Sequence, residues 1–203
     1  MIEVEIKCKI DNKEKLQKSL ISLGFAESSH EMECDSYYDN ETAAIRKNDT
    51  ALRIRKVTDM HTGDVICQIN YKGPKSDTLT MTRPEFETAI ETAEEMDSIL
   101  QALGYHVVNP LVKKERIQYV NGDIHACLDE VYGLGTFLEL EIIAKQESEK
   151  KEALQRIEEL LNTLGYSIQQ TTTVSYLTQL QLQKNGNKEF PPSEDLWNII
   201  SEN

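Results

Sequence analysis

Fourteen ionisable side chains sit on alternate positions of short runs whose intervening residues are largely apolar. Glu3, Glu5 and Lys7 alternate with Val4 and Ile6, Arg53 and Arg55 with Leu52 and Ile54, and Glu139 and Glu141 with Leu138, Leu140 and Ile142. The same spacing joins Arg83, Glu85 and Glu87, joins Lys114 and Arg116, places Lys72 behind Gln68 and Asn70, and places Asp129 behind His125. Residues i and i+2 of a strand share a face, so seven cations (Lys7, Arg53, Arg55, Lys72, Arg83, Lys114, Arg116) meet seven anions (Glu3, Glu5, Glu85, Glu87, Asp129, Glu139, Glu141). Paired carboxylates on two strands, with Asp129 near them, form an all-oxygen donor set of the kind that suits Mg²⁺ or Mn²⁺. Arginine forks and lysine point charges suit phosphate oxygens. A triphosphate chain bridged to a divalent metal satisfies both.

Strands must present these groups. Strand-like runs occur at 2–10, Cys34–Asp39, Thr50–Val57, Val65–Lys72, Thr80–Ile90, Leu111–Val120, Ile124–Glu130 and Thr136–Ala144, eight in all. Many are joined by short polar turns, and Asn121-Gly122 is a strong hairpin signal, so the sheet is expected to be largely antiparallel. Helices are expected near 12–23, 92–103 and 148–164. Each ends in Leu-Gly followed by an aromatic residue, at Gly24, Gly104 and Gly165, which suggests a repeated helix-then-strand unit and an old duplication. Ala43–Thr50, Asp59–Asp64 and Gly73–Leu79 read as loops. A charged face can be the solvated side of an ordinary sheet. Eight strands can also close into a barrel with that face inside, where buried charge is costly without a charged ligand and water.

Length and composition set the wider bounds. The 203 residues, 39% hydrophobic and 28% charged, suit one globular domain over 1–183 with a C-terminal appendage over 184–203, partly flexible. In the appendage, Leu196, Trp197, Ile199 and Ile200 read as a short docked helix or a partner-binding segment. A formal charge of -13 is the wrong sign for binding nucleic acid or anionic lipid. No run suits a membrane helix and MIEVEIKCKI does not suit a signal peptide, so a cytoplasmic location is expected. Cys8, Cys34, Cys67 and Cys127 form no metal or redox motif, and the glycine-rich phosphate loops of common nucleotide-binding folds are absent. His30, His61 and His106 have no partner at useful spacing.

In order along the chain, several motifs resemble the CYTH superfamily, the triphosphate tunnel metalloenzymes. They are Glu3-Val4-Glu5-Ile6-Lys7, Tyr37-Tyr38-Asp39, Leu52-Arg53-Ile54-Arg55, Tyr71-Lys72-Gly73-Pro74, Arg83-Pro84-Glu85-Phe86-Glu87, Lys113-Lys114-Glu115-Arg116 and Leu128-Asp129 through Leu140-Glu141. The resemblance spans about residues 1–181 and is greatest to the branch of CyaB-type class IV adenylyl cyclases. It implies an α+β fold, an eight-stranded antiparallel closed β-barrel with helices packed outside. It also implies a metal-dependent activity on a nucleoside, organic or inorganic triphosphate. Carried over by position, Glu3, Glu5, Asp129, Glu139 and Glu141 are the metal set for Mg²⁺ or Mn²⁺, with Glu139 and Glu141 the leading direct ligands. Lys7, Arg53, Arg55, Lys72, Arg83, Lys114 and Arg116 cradle phosphates, and Glu85 and Glu87 support them or hold a second metal. The implied reaction is cyclisation of ATP or hydrolysis of a triphosphate, with Lys72, a glutamate or water as base; a non-catalytic triphosphate sensor is a further alternative. A homodimer is expected by analogy alone.

Overall fold

The computed structural model describes residues 2–76 and 80–184. Eight strands, β1 (Ile2–Lys9), β2 (Ala26–Asn40), β3 (Ala51–Asp59), β4 (Val65–Lys72), β5 (Arg83–Ile90), β6 (Tyr105–Asn121), β7 (Ile124–Val131) and β8 (Gly135–Ala144), close into one barrel. Its circular order is β1-β5-β4-β3-β2-β6-β7-β8, and every neighbouring pair is antiparallel. Exchanging β1–β4 with β5–β8 maps this circle onto itself, the topology a duplicated four-strand unit would leave.

The alternation of β1 and β8 decides what packs where. Val4, Ile6, Leu138, Leu140 and Ile142 turn outward and are almost wholly buried under two helices, α1 (Lys13–Ser22) and α4 (Lys150–Thr163). Leu16 and Leu20 of α1 and Ala153, Ile157 and Leu161 of α4 fill the layer between. Each fully buried aliphatic side chain contributes about 1.5–3 kcal/mol, so the main apolar core lies outside the barrel and leaves the interior to charge. Asn12 starts α1 by accepting from Lys15 N at 2.8 Å, and Thr92 starts α3 (Ala93–Ala102) by accepting from Glu95 N at 3.3 Å. Gly24 and Gly104 end α1 and α3 at φ +86° and +85°, where a side chain is strained. Leu100 of α3 packs on Tyr38 and Ile54, covering β2 and β3.

Four elements depart from expectation. β2 and β6 are much longer than the runs Cys34–Asp39 and Leu111–Val120, because they pair along most of their lengths while their polar residues blur the alternation. Pro110 in β6 falls within an irregular stretch between the pairs Asp35↔Val112 and Tyr37↔Val108, where its missing N–H is tolerated. Two short helices occupy segments not read as helical. The first, α2 (Ala44–Lys47), begins where the Asp39 carboxylate accepts from Ile45 N and Arg46 N. The second, α5 (Tyr176–Lys184), interleaves three Gln with three Leu, which blurs its apolar stripe. Gly165, unlike Gly24 and Gly104, leads to a 3₁₀ turn and α5 rather than a strand.

The β1–β5 seam is short, pairing only Ile2↔Pro84 and Glu3↔Arg83. Beyond it, Met81 N donates to Glu5 O at 2.9 Å and Thr172 N to Lys7 O at 2.7 Å, which covers the remaining β1 edge. The appendage expected from 184 onward lies, beyond Lys184 itself, outside the described residues. No helix among the described residues is long and apolar enough to cross a membrane.

Candidate active site

The barrel encloses a cavity of about 930 Å³. Its wall carries every charged residue singled out from the sequence except Asp129, so the strands bring together Glu3, Glu5, Lys7, Arg53, Arg55, Lys72, Arg83, Glu85, Glu87, Lys114, Arg116, Glu139 and Glu141. The closed sheet is what makes this side an interior: Lys7, a cation with a long stem, is 2% exposed.

The charges are sorted by strand. On one side of the wall, the Arg55 guanidinium grips Asp35 with Nε and Nη2 at 2.6 and 2.7 Å, and Arg53 Nη1 joins at 3.2 Å. Glu33 lies 2.9 Å from Arg55 and 3.2 Å from Lys114. Burial alone would raise the Glu33 and Asp35 carboxyls, but the neighbouring arginines outweigh it and hold both below the ordinary range. Next to them on β6, Arg116 makes two 2.6 Å bonds to Asp129 and also contacts Glu139. Burial of Glu139 is likewise overcome by Arg116, Lys114 and Lys7, which keep it ionised. Lys72 sits 3.1 Å from Glu3 and 2.8 Å from Glu85.

Against these neutralised groups stands an unbalanced one. Glu5 and Glu141 are directly opposite in the β1–β8 ladder and both face the cavity. Like charges in that position repel, and neither carboxylate has an ion-pair partner among the described residues. Burial first, and then Glu139 beside Glu5 and Glu3 beside Glu141, push both pKa values up to about 7. Burial does the same to Glu3, against the pull of Lys72. This surplus of negative charge, with oxygen donors only, fits a hard divalent cation, and Glu3, Glu5 and Glu141, with Glu139 beside them, are the residues that would hold it.

Cations without carboxylate partners also line the wall. Among the described residues Lys7 and Arg83 have no carboxylate within ion-pair distance; Lys7 rests on the Tyr176 ring with Nζ 4.2 Å from its centroid. Arg83 Nη1 reaches only the carbonyls of Asp49 and Gly73, and the Nε atoms of Arg53 and Arg83 are buried without a partner. Unsatisfied buried donors are costly, and an anion in the cavity would satisfy them.

Two of the candidate residues are placed differently from the rest. Asp129 is fully buried, and both its oxygens accept from Lys114, Arg116 and the Tyr176 hydroxyl. Lys72 does not have the lowered pKa a base needs: burial works in that direction, but Glu3, Glu5 and Glu85 outweigh it and raise the value. Sequence reasoning missed Glu33, Asp35 and Tyr176. The alternation Glu31, Glu33, Asp35 was a usable signal, obscured because that strand was read as starting at Cys34; Tyr176 had none, since it depends on where α5 docks. His125 lies across the β7–β8 ladder from Glu141.

One end of the cavity is different in kind. Ile45, Leu52, Val108 and Leu177 line it together with Tyr37, and Arg46 Nη2 lies 3.4 Å from Gln181 Oε1 there.

The CYTH domain model matches residues 1–176. The chain belongs to the CYTH family. CYTH tunnels bind triphosphates, and the family depends on a metal. A Methanocaldococcus jannaschii protein provisionally named an adenylate cyclase is 40% identical over 177 residues, covering 87% of this chain and 97% of its own. The solved structure of the PH1819 protein from Pyrococcus horikoshii superposes with a TM-score of 0.79 at 33% identity, over 90% of this chain and 99% of that one. A more distant similar fold, an adenylyl cyclase candidate from Hippeastrum described as having a dominant triphosphatase activity, gives a TM-score of 0.62 at 18% identity. It covers 95% of this chain and 98% of its own.

Proposed function

We propose that this CYTH protein converts ATP to cyclic AMP and pyrophosphate with Mg²⁺ or Mn²⁺. The observation that carries the reading is the two-part cavity: a charged tunnel matched to a metal and a phosphate chain, continuous with an apolar end that inorganic triphosphate alone would leave unfilled. Pockets that bury organic ligands have this size and mixed lining. The M. jannaschii relative's name points the same way.

In this reading Glu3, Glu5, Glu139 and Glu141 hold the cation, which supplies charge neutralisation at the phosphates. Lys7, Arg53 and Arg83 take the phosphate oxygens, while Arg55, Lys72, Lys114 and Arg116 add positive field from their carboxylate-anchored positions. Asp35 and Asp129 keep those side chains from rotating. Ile45, Val108 and Leu177 exclude water around the base and hold the ribose so that its 3′-oxygen faces the α-phosphorus. Attack there forms the O3′–Pα bond of the cyclic ester, breaks the α–β phosphoanhydride bond and expels pyrophosphate, with the 3′-hydroxyl proton passing to a glutamate or water.

Hydrolysis of the terminal phosphate is the second reading. It uses the same cradle with water as nucleophile, and the activity named for the Hippeastrum protein favours it. Product analysis with Mg²⁺ or Mn²⁺ and, in parallel, ATP, thiamine triphosphate and inorganic triphosphate separates them. Cyclic AMP with pyrophosphate is expected. Phosphate release without cyclic AMP would replace the cyclase by a triphosphatase, and tight metal-dependent binding without turnover would make the chain a sensor.

A further inference from the structure

Outside the tunnel, a second cluster of metal-ligating side chains comes together that sequence spacing does not reveal. Glu27, His30 and His61 each bring one donor atom to within 4.8 Å of the other two. In a regular strand Glu27 and His30 would face opposite ways, being an odd number of residues apart. The β2–β6 register, however, shifts between Glu27 and Ser29. The extra residue restores both to one face, opposite Tyr119 and Ile117 of β6. His61 arrives from the β3–β4 turn, which is tied down where Met60 N donates to His30 O at 2.8 Å and Asp59 Oδ1 accepts from His61 N at 2.7 Å.

The distances approach those of a bound ion. His61 Nε2 lies 3.6 Å from Glu27 Oε1, and the two imidazoles meet edge-on with centroids 5.7 Å apart. Ligands about 2.0–2.1 Å from zinc in a tetrahedron are about 3.3 Å from one another, so small side-chain rotations complete the geometry. Glu115 Oε1 sits 2.9 Å from His30 Nε2. It serves in one of two ways: as a fourth ligand, or as the carboxylate that fixes the ring so that the other nitrogen ligates.

We infer that Glu27, His30 and His61, supported by Glu115, form a site for a borderline divalent transition ion of zinc's class, distinct from the tunnel. Two imidazoles with carboxylates select such ions over Mg²⁺, which prefers oxygen alone. None of the four residues lines the tunnel cavity. A bound ion ties the β3–β4 turn to the paired strands β2 and β6.

The test is calorimetric titration of ZnCl₂ into the full-length protein already saturated with Mg²⁺, with X-ray absorption at the zinc edge. One zinc per chain with two nitrogen ligands is expected. His61→Ala, at a side chain 64% exposed, should weaken that binding at least tenfold without altering the circular dichroism spectrum or the Mg²⁺-dependent activity. Glu141→Gln, in the tunnel, should leave zinc affinity unchanged. Absence of saturable zinc binding, an all-oxygen absorption spectrum, an undiminished affinity in His61→Ala, or loss of the zinc in Glu141→Gln would each overturn the site.

Discussion

At the scale of residues, the Glu5–Glu141 pair links stability, metal binding and pH. Glu141→Gln removes one of two facing carboxylates; in the proposed site it should abolish metal-dependent turnover while raising metal-free stability at pH 8 by on the order of 1 kcal/mol. Turnover assays and urea melts of both proteins check this. Glu3, Glu5 and Glu141 titrate near 7 when folded and near 4.5 when unfolded. Between those values the native state holds more protons, so metal-free stability should fall as pH rises from about 4.5 to 7, and Mg²⁺ affinity should rise over the same interval as competing protons leave. Glu33, Glu85 and Glu139 are shifted the other way and contribute stability that is lost on further acidification. Melts across pH 4–8 in EDTA should therefore peak on the acid side of neutrality; a curve still rising through pH 7 would contradict the assignment. Asp35 is a separate case. It is 1% exposed and neutralises two arginines, so Asp35→Ala should cost about 3–5 kcal/mol by stranding buried positive charge, readable as a shift in the urea midpoint.

Among the elements, α2 is the one held by side chains just before it. Four residues cannot sustain a helix alone; Asn40 Oδ1 accepts from Ala44 N, and Asp39 supplies the acceptors for the next two amides, of Ile45 and Arg46. That role explains the Asp of the Tyr37-Tyr38-Asp39 motif, while the Tyr38 hydroxyl donates to Asp97 of α3 at 2.7 Å. Because α2 carries Ile45 and Arg46 into the apolar end of the cavity, Asp39→Ala should lower stability by about 1 kcal/mol and raise KM for ATP several-fold. Its KM for inorganic triphosphate should barely change, since that substrate does not reach α2. Equal effects on the two substrates would show that this end does not seat the organic group.

The whole molecule is a barrel turned inside out relative to an ordinary globule, with its apolar core between barrel and helices and its charges within. Such an interior is in balance only when its ligands are counted. Saturating Mg²⁺ at 100 times its Kd should stabilise the protein by about 2.7 kcal/mol, visible as a higher Tm than in EDTA. Glu141→Gln should lose most of that gain. A Tm indifferent to Mg²⁺ would mean that the acidic cluster does not bind the ion.

The sequence by itself determined the eight strand runs, the three longer helices and most of the cations and carboxylates of the interior, because period-two alternation is a local property that survives without knowing any partner; the closed α+β barrel was legible only through the family resemblance. Only the tertiary structure decided which carboxylates are spent on arginines and which are left over. Asp129 and Glu141 look alike as acids on alternating strands, yet one is enclosed by Lys114, Arg116 and Tyr176 and the other faces Glu5. Charge state depends on distance to neighbours supplied by other strands and by α5, and those neighbours come from segments far apart in the chain. For the same reason Lys72 read as a base and His30 and His61 as partnerless: a lysine's proton is held by Glu85 of the paired strand β5 and Glu3 of β1 beyond it, and a bulge in β2 turns a histidine toward a distant turn.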